Sequence, residues 1–558
     1  MSDSSPHARL RDDFDRGNPV WQRIGLWSGL AAFVFVMVLP APDGLSPAAQ
    51  RLAAATMLMA ILWVSQAIPI AATALIPLAI YPLLGIQSAG DVSQAYVNAN
   101  IFLFFGGFIF ALGIEKWGLH RRIALHVVYV LGGSPSRIVL GFMIATAFLS
   151  MWISNTATTM LMLPIALALL QTLGEVYAAT ETLASGRQEI QRVLSRLGTG
   201  LMLGIAYSAS CGGLATLIGT PTNVTFLGQW GQLFPDAPSV SMGEWMPVFL
   251  PLTCMMLFSS YLVLTWKLPK HLGEHNPGRS FFSARLRELG KPSHGERAML
   301  VVFVVTALLW VFRTPLQFHD STTGESWTLL PGWGPWYESF LVNHFHADPV
   351  IAKGAVHDAT VAMTMALLLF FLSVRTSKGG RERLIDWETV EHKMPWGIVL
   401  LLGGGFAIAA AFNETGLSAW LGESLARSLT GVPLPVLVCC ICLMMTFLTE
   451  FTSNVATVST FLPILAGTAV TLGVDPRLLM IPATVTASCA FMLPIATPPN
   501  AIVFASGQVT MGQMMRHGLI LNLLGVSFVT ALTFWVLVPI MGISLESLPD
   551  WAVLSVDR

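Results

Sequence analysis

Long apolar stretches separated by short polar connections fill the chain from residue 24 to residue 540. They fall at 24–40, 52–70, 71–86, 101–131, 138–170, 199–218, 245–266, 299–312, 358–374, 397–412, 435–472, 478–496 and 518–540. A hydrocarbon core about 30 Å thick takes about 20 apolar residues per helix. Several stretches are too long or too interrupted for one clean crossing. The pattern therefore predicts an all-α polytopic membrane protein with about eleven transmembrane helices. The first 23 residues are polar and carry both signs, with Arg9, Arg11, Asp12, Asp13 and Arg16. They lack the short apolar core and small-residue cleavage site of a secretory signal, so the run at 24–40 reads as a retained span.

Composition closes off the alternatives. Residues of the AVILMFWYC set make up 54 % of the chain and charged residues 11 %. Soluble proteins carry about 25 % charge, so this chain cannot cover a soluble surface of its size with ions. Its 32 Phe, 17 Trp and 25 Met demand burial, which rules out disorder. A net charge of −1 argues against nucleic acid as a partner, because phosphate binding needs clustered Lys and Arg. Cys211, Cys254, Cys439, Cys440, Cys442 and Cys489 all lie in apolar segments and match no zinc spacing, so they read as buried thiols.

Loop charge sets the orientation. Residues 267–297 carry Lys267, Lys270, Arg279, Arg285, Arg287, Lys291 and Arg297, and residues 375–393 carry five more basic groups. Between them, 313–356 holds only Arg313 and Lys353 but contains Trp327, Trp333, Trp336 and Tyr337. The basic loops are expected in the cytoplasm and the aromatic one outside. The four N-terminal arginines place that end inside. Arg516 before the last span, and a tail with only Arg558, place the C-terminus outside. The expected order is a cytoplasmic segment 1–23, a first membrane repeat 24–267, a basic cytoplasmic linker 268–298, a second membrane repeat 299–540 and an external tail 541–558.

The division into repeats rests on internal similarity. Phe105-Gly106-Gly107-Phe108 recurs as Gly403-Gly404-Gly405-Phe406, and Gly118-Leu119 as Gly416-Leu417. Ser154-Asn155-Thr156-Ala157-Thr158 recurs as Ser453-Asn454-Val455-Ala456-Thr457, with Pro164 matching Pro463. Ala209-Ser210-Cys211 pairs with Ala487-Ser488-Cys489, and Thr220-Pro221-Thr222-Asn223 with Thr497-Pro498-Pro499-Asn500. Each match sets Gly, Pro, Ser, Asn or Thr inside an apolar stretch. In hydrocarbon, irregular backbone survives only where protein shields it or a watery cavity meets it. Ser-Asn-Thr within 138–170 is read as a helix that unwinds and restarts, its asparagine amide satisfying freed backbone groups. The proline motifs cannot continue a helix, and they read as second break points facing the first. Broken helices paired across two repeats point to the binding site of a secondary transporter. Half-helix N-termini offer N–H groups to an anion, while unwound carbonyls and hydroxyls offer oxygens to a cation such as sodium. The blander role of such polar residues, gluing helices together, does not account for two matched pairs.

Trp152-Ile153-Ser154-Asn155-Thr156-Ala157-Thr158 and Thr449-Glu450-Phe451-Thr452-Ser453-Asn454-Val455-Ala456-Thr457 resemble the paired motifs of the divalent-anion/sodium symporters. The run Met492-Leu493-Pro494-Ile495-Ala496-Thr497-Pro498-Pro499-Asn500-Ala501 resembles that family's C-terminal signature. The likeness covers about Leu52 to Ile540. It implies a homodimer with two inverted-topology repeats, an elevator-like transport domain and two re-entrant helical hairpins, placed near 101–131 and 397–429. It also implies sodium-coupled transport of dicarboxylates, citrate or sulfate, with C4-dicarboxylates such as succinate, malate or fumarate expected first. Carried over by motif position, one sodium site resembles Ser150, Ser154, Asn155 and the Gly219 backbone. The other resembles Thr449, Thr452, Asn454 and the Ala496 backbone. Substrate carboxylates would meet Ser154, Asn155, Thr156, Thr220, Ser453, Asn454, Val455 and Thr497. Val455 departs from the family, where many bacterial members have Thr, and this bears on which dianion is carried. The expected cofactor is sodium at two or more sites. The expected setting is a bacterial inner membrane, with its lipid as a partner.

Neither motif contains Lys or Arg, although the substrate should be a dianion. Neutral donors, half-helix dipoles and bound sodium must then supply the compensating charge. Exchanger members carry basic groups in place of sodium ligands, so their absence here favours symport. Glu115, Glu414, Glu450 and Asp358 lie near or within apolar runs and read as bracing groups rather than a proton relay, with Glu115 and Lys116 a candidate pair. His120 and His517 are placed at interfaces, and the Asn223-Val224-Thr225 glycosylation pattern falls inside the membrane. A channel would need a continuous polar path. The chain has no His-Glu-x-x-His, Gly-x-Ser-x-Gly or Gly-x-x-x-x-Gly-Lys-Ser/Thr, so it does not read as an enzyme.

Overall fold

A computed structural model describes residues 19–552, apart from 132–133, 181–183, 267, 269–276, 320–325, 377–379, 430 and 546. Arg9, Arg11, Arg16, Lys267, Lys270, Lys378 and Arg558 of the orientation argument lie outside the described residues. Among the described residues, ten helices are long and apolar enough to cross a membrane, or eleven if the bent pair Leu417–Leu429 and Leu434–Thr449 counts as one span. That agrees with the count expected from the apolar runs. The only strands among the described residues form two small antiparallel ladders, Leu316–His319 with Ser326–Leu330 and Ser373–Arg375 with Arg381–Arg383. Both lie in the polar connections.

Helix starts follow from local chemistry. Ser241 and Ser293 close capping boxes with Glu244 and Glu296, opening the apolar helices Met242–Thr265 and His294–Val311. Thr510 does the same with Gln513 for Met511–Leu532. At the centre runs Ala184–Leu214, buried at every residue from Leu197 to Leu214. Close approach to this helix depends on small residues, as expected where lipid offers no hydrophobic contrast. A Cβ at Gly212 would come within 2.7 Å of the Ala147 Cα.

The same contacts fix chain direction. Gly200 faces Val139, Gly204 faces Met143 and Gly212 faces Ala147, so Pro135–Ser150 runs parallel to the central helix. Gly198 faces Leu170 and Gly174 faces Leu194, so Asn155–Thr180 runs antiparallel to it. The chain therefore reverses at 151–154. In the second half, the C-terminal end of Leu434–Thr449 meets the C-terminal end of Arg477–Thr486, through Thr446 to Thr486 O and Thr449 to Ala487 O. Asn454–Thr471 packs against Arg477–Thr486 and enters it through a short turn at Gly473, φ +72°. That half reverses at 450–453. The polar triplets are thus the tips of helical hairpins, not the middles of kinked helices. This corrects both the unwound-helix expectation and the placement of tight hairpins at 101–131 and 397–429. In those two places a long helix, Ala99–Lys116 or Trp396–Thr415, ends at a left-handed glycine, Gly118 or Gly416. A shorter helix follows each.

The two halves interlock. Pro221–Leu233 packs against Trp396–Thr415 and Asn454–Thr471 of the second half. Its counterpart Pro498–Ala505 packs against Ala184–Leu214 and Asn155–Thr180 of the first. Outside this core, Lys116 pairs with Glu382 at 2.9 Å and Asp386 at 2.7 Å, and Glu115 pairs with Lys393 instead of its neighbour Lys116. The Lys116 ammonium holds the Asp386 carboxyl down at about 2. Cys211, Cys442 and Cys489 are buried as expected, whereas Cys254 and Cys440 are exposed on the outward faces of apolar helices.

Candidate functional site

Each hairpin tip closes on a short oxygen cluster. The Ser150 hydroxyl lies 2.6 Å from Asn155 Oδ1 and 2.7 Å from Ala209 O. The Thr449 hydroxyl lies 2.6 Å from Asn454 Oδ1 and 2.9 Å from Ala487 O. The amide is turned the same way in both halves. Each cluster thus gathers three oxygens around one hydroxyl hydrogen, which can serve only one acceptor fully. Such a cluster has room in its electrostatics for a small cation.

The proline breaks come up against these tips. A Cβ built on Gly213 would lie 2.7 Å from Asn155 Oδ1 and 3.1 Å from Gly219 O, so the amide oxygen and the Gly219 carbonyl face a common point. A Cβ at Gly219 would lie 2.6 Å from Gly213 O, which only glycine at both positions allows. Thr216 donates its hydroxyl to Met151 O, tying the break to the first tip. The breaks themselves are latched by asparagine. Asn223 donates from Nδ2 to Gly213 O at 3.3 Å and Thr216 O at 2.8 Å. Asn500 donates to Ala490 O at 3.1 Å and Leu493 O at 3.0 Å. In both cases the acceptors stand ten and seven residues earlier in the chain. The task of satisfying freed backbone, expected of the Ser-Asn-Thr asparagines, thus belongs to Asn223 and Asn500. Asn223 is fully buried, in keeping with the placement of its glycosylation pattern inside the membrane.

The halves touch where Thr222 and Ser488 share a hydrogen bond of 2.7 Å. Around this junction, Ser154, Asn155, Thr156, Ser453 and Asn454 are partly exposed, while Thr220 and Thr497 are buried at the starts of Pro221–Leu233 and Pro498–Ala505. Ser154 caps the Ala157 N–H at 3.3 Å, whereas Ser453 caps nothing. Thr497 accepts from the Asn500 N–H at 3.3 Å, and Thr220 instead meets the Thr222 hydroxyl at 3.2 Å. Thr452 donates to Leu448 O at 2.9 Å and meets Thr457 at 2.6 Å. Ala496 lies in the second break, its N–H bonded to Leu493 O at 3.2 Å. Val455 packs into an apolar cluster with Val224 and Phe406. The N-terminal ends of these helices make a neutral, dipole-lined setting for an anion, although Pro498–Ala505 opens on two prolines and a capped Asn500 N–H and offers it no free donor there. Among the described residues no hydrogen bond or ion pair brings Lys or Arg to either tip, and no three His, Cys, Asp or Glu gather as metal ligands.

Sequence reasoning missed Thr216 and Asn522, and it saw Ser488 only as part of the repeat, with no role assigned. It did identify the acids as braces. Glu414 accepts from Gln87 at 2.8 Å, Asp358 pairs with Arg313, and Glu450 accepts from Asn522 and two backbone N–H groups. His120 and His517 each hydrogen-bond a backbone carbonyl, Ile114 O and Gln513 O.

Comparison with known proteins agrees with this architecture. Residues 21–541 match the sodium:sulfate symporter transmembrane region. The chain is 38 % identical over 525 residues to the sodium-dependent dicarboxylate transporter SdcS of Staphylococcus saprophyticus, covering 94 % of this chain and 93 % of that one. The transporter of the same name from Staphylococcus aureus is 37 % identical over 526 residues, with the same coverage. A solved structure, the Alcanivorax borkumensis YdaH transporter, covers 82 % of this chain and 87 % of its own at 15 % identity and a TM-score of 0.48, too distant to inform the site. Matched across nearly its whole length, this protein belongs to the sodium:sulfate symporter family, and it is a multi-pass membrane transporter rather than an enzyme.

Proposed function

We propose that this protein is a sodium-driven symporter of dicarboxylates, with C4 acids such as succinate, malate and fumarate as preferred substrates. The observation that carries the reading is the duplicated oxygen cluster, three oxygens sharing one hydrogen at each hairpin tip. Sodium at each cluster would draw on Ser150, Ser154, Asn155 and the Gly219 carbonyl, and on Thr449, Thr452, Asn454 and the Ala496 carbonyl. The substrate carboxylates would sit between the tips, against Ser154, Asn155, Thr156, Ser453, Asn454 and the helix starts at Thr220 and Thr497. Val455 would supply shape without a donor. With no fixed cation in the site, sodium supplies the charge that a dianion needs. Each then raises the other's affinity by the same factor, which is coupling. Relatives that are named sodium-dependent dicarboxylate transporters support this choice over citrate or sulfate.

We place two such chains together in the bacterial plasma membrane, N-terminus in the cytoplasm and C-terminus outside. Repeat 24–267 would be joined to repeat 299–540 by the linker 268–298. The first hairpin and Pro498–Ala505 pack around Ala184–Leu214, and the second hairpin joins Pro221–Leu233 and Arg477–Thr486; this packing suits rigid, elevator-like movement against the remaining helices. The test is labelled-succinate uptake into proteoliposomes with and without an inward sodium gradient, competed by citrate and sulfate. Saturable uptake that requires the gradient is expected. Uptake indifferent to sodium would refute symport, and stronger competition by citrate than by malate would move the substrate. Val455→Thr, which adds a hydroxyl without changing shape, is expected to alter the ratio of succinate to citrate uptake several-fold while protein yield holds. An unchanged ratio would remove that position from substrate selection.

A further inference from the structure

The two hairpin tips are braced by different chemistry. Around the first, the supports are neutral: Thr216 to Met151 O, Trp245 Nε1 to Leu214 O at 2.9 Å and Thr253 to Cys211 O at 2.9 Å. At the position that matches Met151, the second half carries Glu450, which is 1 % exposed. Its Oε1 accepts from the Met492 N–H at 2.9 Å and from Asn522 Nδ2 at 2.7 Å, and its Oε2 from the Leu493 N–H at 2.9 Å. Asn522 Oδ1 accepts in turn from the Phe491 N–H at 3.2 Å. Every partner of the carboxyl group donates, which suits the ionised form, since a carboxylate only accepts. None of the ion pairs among the described residues includes Glu450. Buried charges normally have a counter-charge or a metal, because desolvation is costly otherwise.

The backbone that Glu450 grips is the wall of the second cluster. Residues 491–493 lie between Ala487, whose carbonyl faces the Thr449 hydroxyl, and the break at Ala496. Leu493 O also receives the Asn500 amide. The carboxylate therefore fixes the loop that presents oxygens to the second cluster. It also places one negative charge in the residue after Thr449, and the first cluster has no equivalent.

We propose that Glu450 is a positioning residue that makes the two sodium sites unequal, giving the second cluster the higher affinity so that it fills before the first. This rests on the sodium-coupled reading above and goes beyond it by ordering the sites. A sodium ion at Thr449 and Asn454 supplies the counter-charge that Glu450 lacks. The hairpin tip at 450–453 is thereby set before the first site and the substrate are engaged.

The test uses the full-length protein, with sodium exchanged for choline at constant ionic strength. Melting temperature in detergent is followed without substrate, and succinate uptake is followed in proteoliposomes. Glu450→Gln keeps the shape and removes the charge. It is expected to raise the sodium concentration for half-maximal stabilisation and uptake by about 10–100-fold, the usual reach of groups behind metal ligands. The succinate KM at saturating sodium should stay near the wild-type value, and Glu450→Asp should recover part of the loss. A purely structural brace would instead lower the melting temperature in choline and leave the sodium midpoint alone, which overturns the proposal. Should Glu450→Gln fail to fold, Thr449→Val and Ser150→Ala decide. The first should abolish the tighter phase of sodium stabilisation and the second the weaker, whereas equal midpoints would overturn the ordering. A wild-type protein with no response to sodium would refute the symport reading itself, a result distinct from two equal sites.

Discussion

Asn155→Ala and Asn454→Ala are each expected to reduce sodium-driven uptake to background while the protein still purifies as a folded species. Each asparagine opens the second arm of its hairpin and turns its amide oxygen to a hydroxyl on the first arm, Ser150 or Thr449, at 2.6 Å. Alanine removes one oxygen of three from the cluster and the latch across the tip. Loss of the latch costs modest stability, about 1 kcal/mol for a net hydrogen bond. If each asparagine is a sodium ligand, as proposed, its loss costs far more in function. Even groups one step behind a metal's ligands change affinity by about 10–100-fold, so deleting a ligand should exceed that range. Coupling enlarges the effect on transport, because at a given sodium concentration a weakened sodium site is less often filled, and the unfilled site binds succinate poorly. The measurement is initial-rate uptake at several sodium concentrations, with monodispersity checked by size exclusion. Full uptake by either variant would remove that residue from the site. The opposite amide orientation makes the contrary forecast: the amide would donate to the hydroxyl, the hydroxyl to the backbone carbonyl, and no ion would be needed.

The two asparagines stood out from the duplication alone, since Ser154-Asn155 and Ser453-Asn454 interrupt apolar runs at matching places. That they cap reversals was not read, although the runs held the clue. The stretch 138–170 would reach about 50 Å as one helix at 1.5 Å per residue, well beyond a hydrocarbon core of about 30 Å. Only folding back accommodates it. Local sequence does not otherwise distinguish a kink from a turn, because both put Ser, Asn and Thr where helical bonding lapses. Direction came from residues far apart in the chain, the row of Gly200, Gly204 and Gly212 against Val139, Met143 and Ala147. The same distance hid the partners of the buried acids. Glu450 could be recognised as a brace, but nothing near it in sequence points to Asn522. Glu115 likewise joins Lys393 across a long separation, not the lysine beside it.

Asp358→Ala is expected to destabilise the fold more than any single change at the hairpin tips. Asp358 and Arg313 are 2 % and 6 % exposed and meet at 2.5 Å through Nε and Oδ1. Arg313 also donates from a terminal nitrogen to Val356 O at 2.8 Å. Asp358 Oδ2 accepts from the Met242 N–H at 3.0 Å, and its backbone carbonyl accepts from Trp310 Nε1 at 3.1 Å. One pair thus ties together the starts of Met242–Thr265 and Asp358–Phe371 and the end of His294–Val311. Removing one member of a buried pair leaves the other charge uncompensated, which costs about 3–5 kcal/mol, whereas replacing both with apolar groups is often near neutral. The double variant Arg313→Met with Asp358→Leu should therefore melt well above Asp358→Ala, and it should retain sodium-dependent uptake, since neither residue belongs to a hairpin tip. Melting curves of the wild type, both single variants and the double variant give the coupling directly. Additive losses would show that the pair is not a unit. Retained stability but lost uptake in the double variant would mean that this junction, where the first helical residue of a capping box meets a buried acid, takes part in movement as well as in holding the helices together.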